Sequence, residues 1–347
     1  MSCSVIDSHT ASKVASQARA VSLFYPRVRA HQGRACRRGR AFWLGLLLAA
    51  CAPTLGGCGW LKNMAIDMFA SSMEGGSGSL RAHFDWETAG QGAASGIMQL
   101  EALYGVRPDN EQLALGLVKS YMAYTYGWAM DDYELALVNE EFDRADRIKV
   151  RAYWLYMRAK RISLRVMRDR DPGIDEHLKA DPDQLILYLR EHYTDAEDDI
   201  APIFWLMMSW SSAVNNSPDG TAFADMPFIR ALAQRVIELD ETYEAAGALV
   251  FMGGLFGSYS KALGGDATKA KDYFERALAI TKRRSHLVQL NYARLYAVTA
   301  QDKKLYLALL NEIIEAPDQG NEFRLSNKVA RRRAYRYLEE ADDLFFE

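Results

Sequence analysis

The chain has 347 residues, 49% apolar and 25% charged, which is ordinary globular material for one large domain or two small ones. Charge divides it unevenly: residues 1–57 carry eight Lys or Arg and one acid, a balance of +7, so with −3 for the whole the part from Cys58 onward is −10. That acidity excludes nucleic acid as a partner of the larger part.

The basic part reads as an export signal that is removed from the mature protein. Arg34, Arg37, Arg38 and Arg40 precede an uncharged run, AFWLGLLLAA, from Ala41 to Ala50, and small residues lead up to a cysteine. Both LAAC (Leu48 to Cys51) and LGGC (Leu55 to Cys58) match the bacterial lipobox, in which the cysteine thiol takes a diacylglycerol and becomes the mature N-terminus. Cys58 is the preferred acceptor and Cys51 the alternative. The other cysteines are Cys3 and Cys36, so cleavage at Cys58 leaves one thiol, and that one lipidated, whereas cleavage at Cys51 leaves a second thiol at Cys58. A body without further cysteine suits an oxidising compartment. An uncleaved signal anchor is the competing reading, although the apolar run falls short of the roughly 20 residues of a membrane helix. The expected location is the periplasm, anchored by lipid to a bacterial membrane. Gly59 after the cysteine, where an acid would signal retention, favours the outer membrane over the inner.

Residues 58–82 then read as a lipidated N-terminus and tether, because GGSGS (Gly75 to Ser79) is flexible-linker chemistry. From 83 to 347 the pattern is helical almost throughout, and the expected class is all-α. Ile148, Ala152, Leu155, Ala159, Ile162 and Val166 step by four and three, which predicts one helix from about Asp143 to Asp169. Its arginines Arg151, Arg158, Arg161, Arg165 and Arg168 form a stripe, read as a solvated face paired with acids. Asp195, Glu197, Asp198 and Asp199 stand before Ile200-Ala201-Pro202 and read as the start of a helix rather than a metal site. GGLFG (Gly253 to Gly257) reads as close helix packing, and Gly264-Gly265-Asp266 as the turn between two repeat helices.

Repetition supports helical hairpins stacked as a solenoid. Ala270, Phe274 and Ala277 have the small-x3-aromatic-x2-small spacing of the second helix of a tetratricopeptide (TPR) repeat, where small residues let paired helices approach. Leu305, Leu309, Glu312 and Pro317 repeat the pattern with poorer residues, as do Gly96, Leu100, Leu103 and Pro108. Catalytic patterns are missing: His83, His177, His192 and His286 include no HExxH pair, and neither a G-x-S-x-G elbow nor a P-loop occurs. The reading is therefore a non-enzyme without cofactor or metal.

The run from Phe204 to Ile280, through FWLMMSWSSAVNNSPDG, ADMPFIRALAQRVIELDETYEAAGALVFMGGL and KALGGDATKAKDYFERALAI, resembles the T-component of tripartite ATP-independent periplasmic (TRAP) transporters. HLVQLNYARLYAVTAQDKKLYLALLNEII and LSNKVARRRAYRYLEEADDLF continue the resemblance, as does the order of lipobox, short tether and helical domain. It implies a lipoprotein without catalytic role that associates with the transporter's substrate-binding P-component. It also implies a homotrimer whose protomers carry an apolar pore or cleft for a hydrophobic small molecule.

Candidates for such a lining come from the residues themselves. Tyr121, Tyr124 and Trp128 fall on one helix at three- and four-residue steps, and Trp205 and Trp210 sit on another that is apolar nearly all round. Aromatic rings with a polar edge suit an amphipathic ligand, although the same spacing also describes core packing. The competing function is a general TPR scaffold lipoprotein that assembles envelope proteins and binds no small molecule.

Overall fold

A computed structural model describes residues 58–318, 320 and 322–345. The expected signal leader, with Cys3, Cys36 and Cys51, lies outside the described residues. The chain divides into two units, Met1–Cys58 and Gly59–Glu347, and the account below concerns the second.

Among the described residues every regular element is helical. In order they are α1 (Cys58–Arg81), α2 (Trp86–Val106), α3 (Glu111–Tyr124), a π-helical turn (Thr125–Ala129), α4 (Met130–Val138), α5 (Phe142–Arg170), α6 (Ile174–His177) and α7 (Pro182–His192). There follow α8 (Ile200–Asn215), α9 (Met226–Asp240), α10 (Tyr243–Gly257), α11 (Ala267–Thr281), α12 (His286–Tyr292), a second π-helical turn (Ala293–Ala297), α13 (Lys303–Glu315), α14 (Arg324–Glu339) and α15 (Ala341–Leu344).

Short polar side chains start many of these helices by accepting the N–H groups that a first turn leaves unpaired. Asp85 accepts from Thr88, Asn110 from Leu113, Asp266 from Lys269 and Asp302 from Leu305. Asp181 does so for α7, with Pro182 in its first turn. The acidic run before α8 behaves differently from expectation. Asp195 accepts the N–H groups of Glu197 and Asp198 within the preceding turn, and Asp199 pairs with Arg170 at 3.2 Å without capping the helix by its side chain.

Buried side chains form three clusters that follow one another along the chain. The first gathers Leu113, Leu117 and Ile162 between α1, α2, α3 and α5; the second gathers Leu189, Ile203, Leu206 and Leu232; the third gathers Phe274, Tyr292 and Tyr306. Trp205 and Met208 touch the first and second, and Ile237 and Tyr273 the second and third. Helices close in sequence, such as α8 and α9 or α10 and α11, pack on each other, while the long α5 packs on both α3 and α8. The predicted seam on α5 is the buried one, with Ala152, Ala159 and Ile162 at 1% exposure or less. Its arginines Arg158, Arg165 and Arg168 pair with Glu101, Asp169 and Asp175.

The α10–α11 pair shows why the small residues are there. A Cβ on Gly253 would lie 2.9 Å from the Phe274 ring, and one on Gly257 would lie 2.8 Å from the Leu295 carbonyl oxygen. Ala270, Phe274 and Ala277 are fully buried on the opposing face. In α13 the position equivalent to Ala277 is Glu312, which reaches back to Arg283 and Gln289 instead of closing the gap.

Two features depart from the sequence reading. Gly75–Ser79, expected to be a flexible tether, continues α1 as a helix. That helix is docked: Ile66 and Ala70 are buried in the first cluster, and Asp67 accepts from Arg107 at 3.0 Å and from Asn110 at 2.6 Å. The other departure is a closure between distant parts of the chain. Helix α14 packs against α2, and its arginines reach α4, with Arg336 bonded to Asp131 at 2.6 Å and to Glu134 at 2.7 Å. Arg332 also meets Asp131, at 3.1 Å, and Arg333 donates to the Tyr126 carbonyl at 2.7 Å.

Asp131 has 2% of its side chain exposed and Arg336 has 11%, so removing one partner strands a buried charge. Asp131→Ala is therefore expected to cost about 3–5 kcal/mol in urea unfolding. Asp169→Ala, which breaks the exposed pair with Arg165, should cost under about 1 kcal/mol. Equal effects from the two substitutions would contradict the closure.

Candidate functional site

Two of the predicted aromatic residues come together in a ladder. The π-helical turn after α3 carries Trp128, whose ring stacks on Tyr124 at 6.2 Å between centroids and on Trp86 of α2 at 5.8 Å. The Trp128 indole N–H donates to the Trp86 carbonyl at 3.1 Å. Guanidinium groups cover both ends, Arg332 at 3.9 Å from the Trp86 ring and Arg151 at 5.6 Å from the Tyr124 ring. Arg151 also donates to the Tyr124 hydroxyl at 3.0 Å. All three rings are half-buried, so part of the ladder faces water. Cations over aromatic faces hold the stack from both ends.

Gly90 makes the ladder possible. A Cβ there would stand 2.2 Å from the Trp128 Nε1, so only glycine lets the indole lie on α2. Sequence reasoning missed Trp86, Gly90 and Arg332. Trp86 and Gly90 lie one helical turn apart, and that spacing of a large ring with a glycine was the available signal.

The closure described above frames this ladder. Arg333 stacks over the Tyr126 ring at 4.2 Å and lies 3.5 Å from Glu134, while the Tyr337 hydroxyl donates to Glu134 at 3.0 Å. Burial opposes the charge of Arg333, but the surrounding Tyr126, Glu134 and Asp131 oxygens outweigh it and raise its pKa. The guanidinium therefore stays charged at any physiological pH.

The other predicted residues lie apart from the ladder. Tyr121 is buried, and its hydroxyl donates to Glu101 at 2.7 Å. Arg158 donates to both oxygens of Glu101 at 2.7 Å. Burial, then the bond to Glu101, pushes the Tyr121 hydroxyl up to about 12. The Arg158 fork holds Glu101 below the usual carboxylate range against the opposing effect of burial. Trp210 is buried in the second cluster, donates to Asp225 at 2.7 Å and lies under the Lys160 ammonium at 4.2 Å.

Trp205 bridges the first two clusters and packs edge-on against Phe204. Its indole N–H is covered from water with no acceptor, as is that of Trp86. Lys119 lies over the Trp205 ring at 5.7 Å. An orphaned buried donor costs roughly 1–3 kcal/mol.

Among the described residues no group of His, Cys, Asp and Glu is placed to hold a metal ion, and no helix is long and apolar enough to cross a membrane. His286 is the most buried of the described histidines, and burial is the main cause that lowers its pKa.

The profile of the TRAP transporter T-component matches residues 83–345, and the chain belongs to that family, an accessory subunit of TRAP transporters. Comparison with curated proteins gives no match.

The ladder geometry has a direct check. Gly90→Ala should destabilise the protein by about 1–3 kcal/mol through overpacking against Trp128. In a Trp128→Ala background the same change should become neutral or stabilise by about 0.5–1 kcal/mol, as alanine normally does in a helix. Unfolding free energies of the four proteins measure the coupling, and additive effects would contradict the contact.

The Glu101–Arg158 pair sets a second expectation. Because the folded-state pKa of Glu101 is depressed, its contribution is present above the unfolded carboxylate value and is lost as pH falls through the folded one. Glu101→Gln should therefore lower stability at pH 7 and flatten its dependence on pH below about 4.5. Unfolding of both proteins between pH 3 and 7 tests this, and parallel pH profiles would contradict it.

Proposed function

We propose that the chain is the lipid-anchored periplasmic T-component of a TRAP transporter, which binds the substrate-binding P-component and holds a hydrophobic or amphipathic small molecule against its aromatic wall. The family match over nearly the whole helical body is the observation that carries this reading. Cys58 bears the lipid, with Cys51 as the alternative acceptor, and the outer membrane is the favoured location.

The half-buried stack of Trp86, Trp128 and Tyr124 supports the ligand role, because aromatic rings at a water boundary lose little on binding an apolar chain. Trp205 gives a second half-buried ring, whereas Tyr121 and Trp210 serve the core. The fold is a TPR-like stack of hairpins, supported by the succession of cores and by the glycine-to-ring packing of α10 on α11. The homotrimer rests on the family resemblance. The protein has no catalytic role, in keeping with its family.

Capture of partners by the mature domain from native periplasm, with mass spectrometry of proteins and of extracted lipids, tests the proposal. The expected result is enrichment of a P-component together with an apolar molecule, and weaker recovery of that molecule with Trp128→Ala. Enrichment of envelope-assembly factors without a P-component would overturn it in favour of a general scaffold.

A further inference from the structure

Helix α1 has one face fixed to the body and another that nothing covers. Ile66 and Ala70 form the buried seam, and Asp67 and Ser71 bond to Arg107, Asn110 and Gln112 beside it. At about 3.6 residues per turn, Met64 and Met68 fall opposite that seam. They are 41% and 66% exposed, and Phe69, about 100° further round the helix from Met68, is 43% exposed. An open groove of about 640 Å³ runs along this side, bounded by Asn63, Met64, Asp67, Met68, Ser71 and Arg107.

The chemistry of this face is unlike that of an acidic protein in water. From Lys62 to Ser72 the one unpaired charge is the cation of Lys62; Asp67, whose carboxylate is 45% exposed at the edge of the groove, is paired with Arg107. Methionine and phenylalanine with a lysine at the margin are what a helix lying in a membrane interface presents. Three apolar side chains are far too few for the roughly 800 Å² per partner of a stable protein interface. They are sufficient for a shallow contact with lipid that a covalent anchor already holds in place.

Position identifies the surface. Cys58 is the first residue of α1, so Met64 and Met68 follow it by about 9 Å and 15 Å of helix. Acyl chains inserted from Cys58 bring the first turns of α1 to the leaflet. The body occupies one side of the helix, which leaves the methionine face to meet the lipid.

We propose that Met64, Met68 and Phe69 lie in the headgroup region of the leaflet that holds Cys58, so that the body is set on the membrane in a fixed orientation. The inference rests on the lipid-anchor reading of Cys58. It replaces a loose tether with a docked helix that orients the aromatic wall relative to the bilayer.

The test uses the full lipidated protein purified from membranes. Met68→Cys, at an exposed position, is labelled with an environment-sensitive fluorophore and placed in vesicles of phosphatidylethanolamine and phosphatidylglycerol, with and without shallow spin-labelled lipid. The label should shift to the blue and be quenched at least about twofold, as expected of an interfacial helix. A label on Arg161→Cys, exposed on α5, should remain water-like and unquenched. Water-like emission at position 68 would overturn the inference, and so would a blue shift without lipid quenching, which would place a protein over the face. Mass spectrometry of the same preparation separates the two readings: an acylated Cys58 with an unquenched label sinks only the orientation, whereas a missing acyl group sinks the anchor and the orientation together.

Discussion

The structure depends on a charged contact between the beginning and the end of the helical body. Asp131 in α4 receives Arg332 and Arg336 from α14, and Glu134 receives Arg336 and Tyr337. Helices that pack only on their neighbours in sequence would leave the two ends independent, free to open separately. Buried ion pairs of this kind gain little over an apolar contact, but breaking one is costly. Arg336 spans Asp131 and Glu134 while Arg332 shares Asp131, so several contacts tie α14 to α4 at once. Arg332 then completes the aromatic ladder by covering Trp86, and the closure and the candidate site share a residue.

Much of the fold was legible because it is written in local spacing. The seam on α5 and the Ala270, Phe274, Ala277 pattern of α11 are statements about residues three and four apart, and burial follows them. The paired aromatics Tyr124 and Trp128 were legible for the same reason. Their neighbour Trp86 was not, because it precedes Trp128 by 42 residues and meets it only through the glycine at position 90. The closure joins residues about 200 apart, and no local pattern encodes such a pair. Gly75 to Ser79 misled for the opposite reason. Their composition describes the cost of ordering glycine, whereas upstream in the same helix Ile66 and Ala70 are already fixed in the core.

A division of labour follows for a subunit of a transporter. Tyr121, Glu101 and Arg158 form a rigid hydrogen-bonded joint between α2, α3 and α5. Trp210, Asp225 and Lys160 form another between α5, α8 and the start of α9. Both joints have their polar atoms satisfied, so they supply stiffness. The half-buried rings of Trp86 and Trp205 instead carry indole donors that are covered and have no acceptor.

Hydrogen exchange on Arg336→Met tests most directly whether the closure organises this site. If it does, amides of Trp86 to Val138 exchange faster along with those of α14, while α7 to α9 keep their wild-type protection. A change confined to α14, or one spread evenly over every helix, would contradict the account.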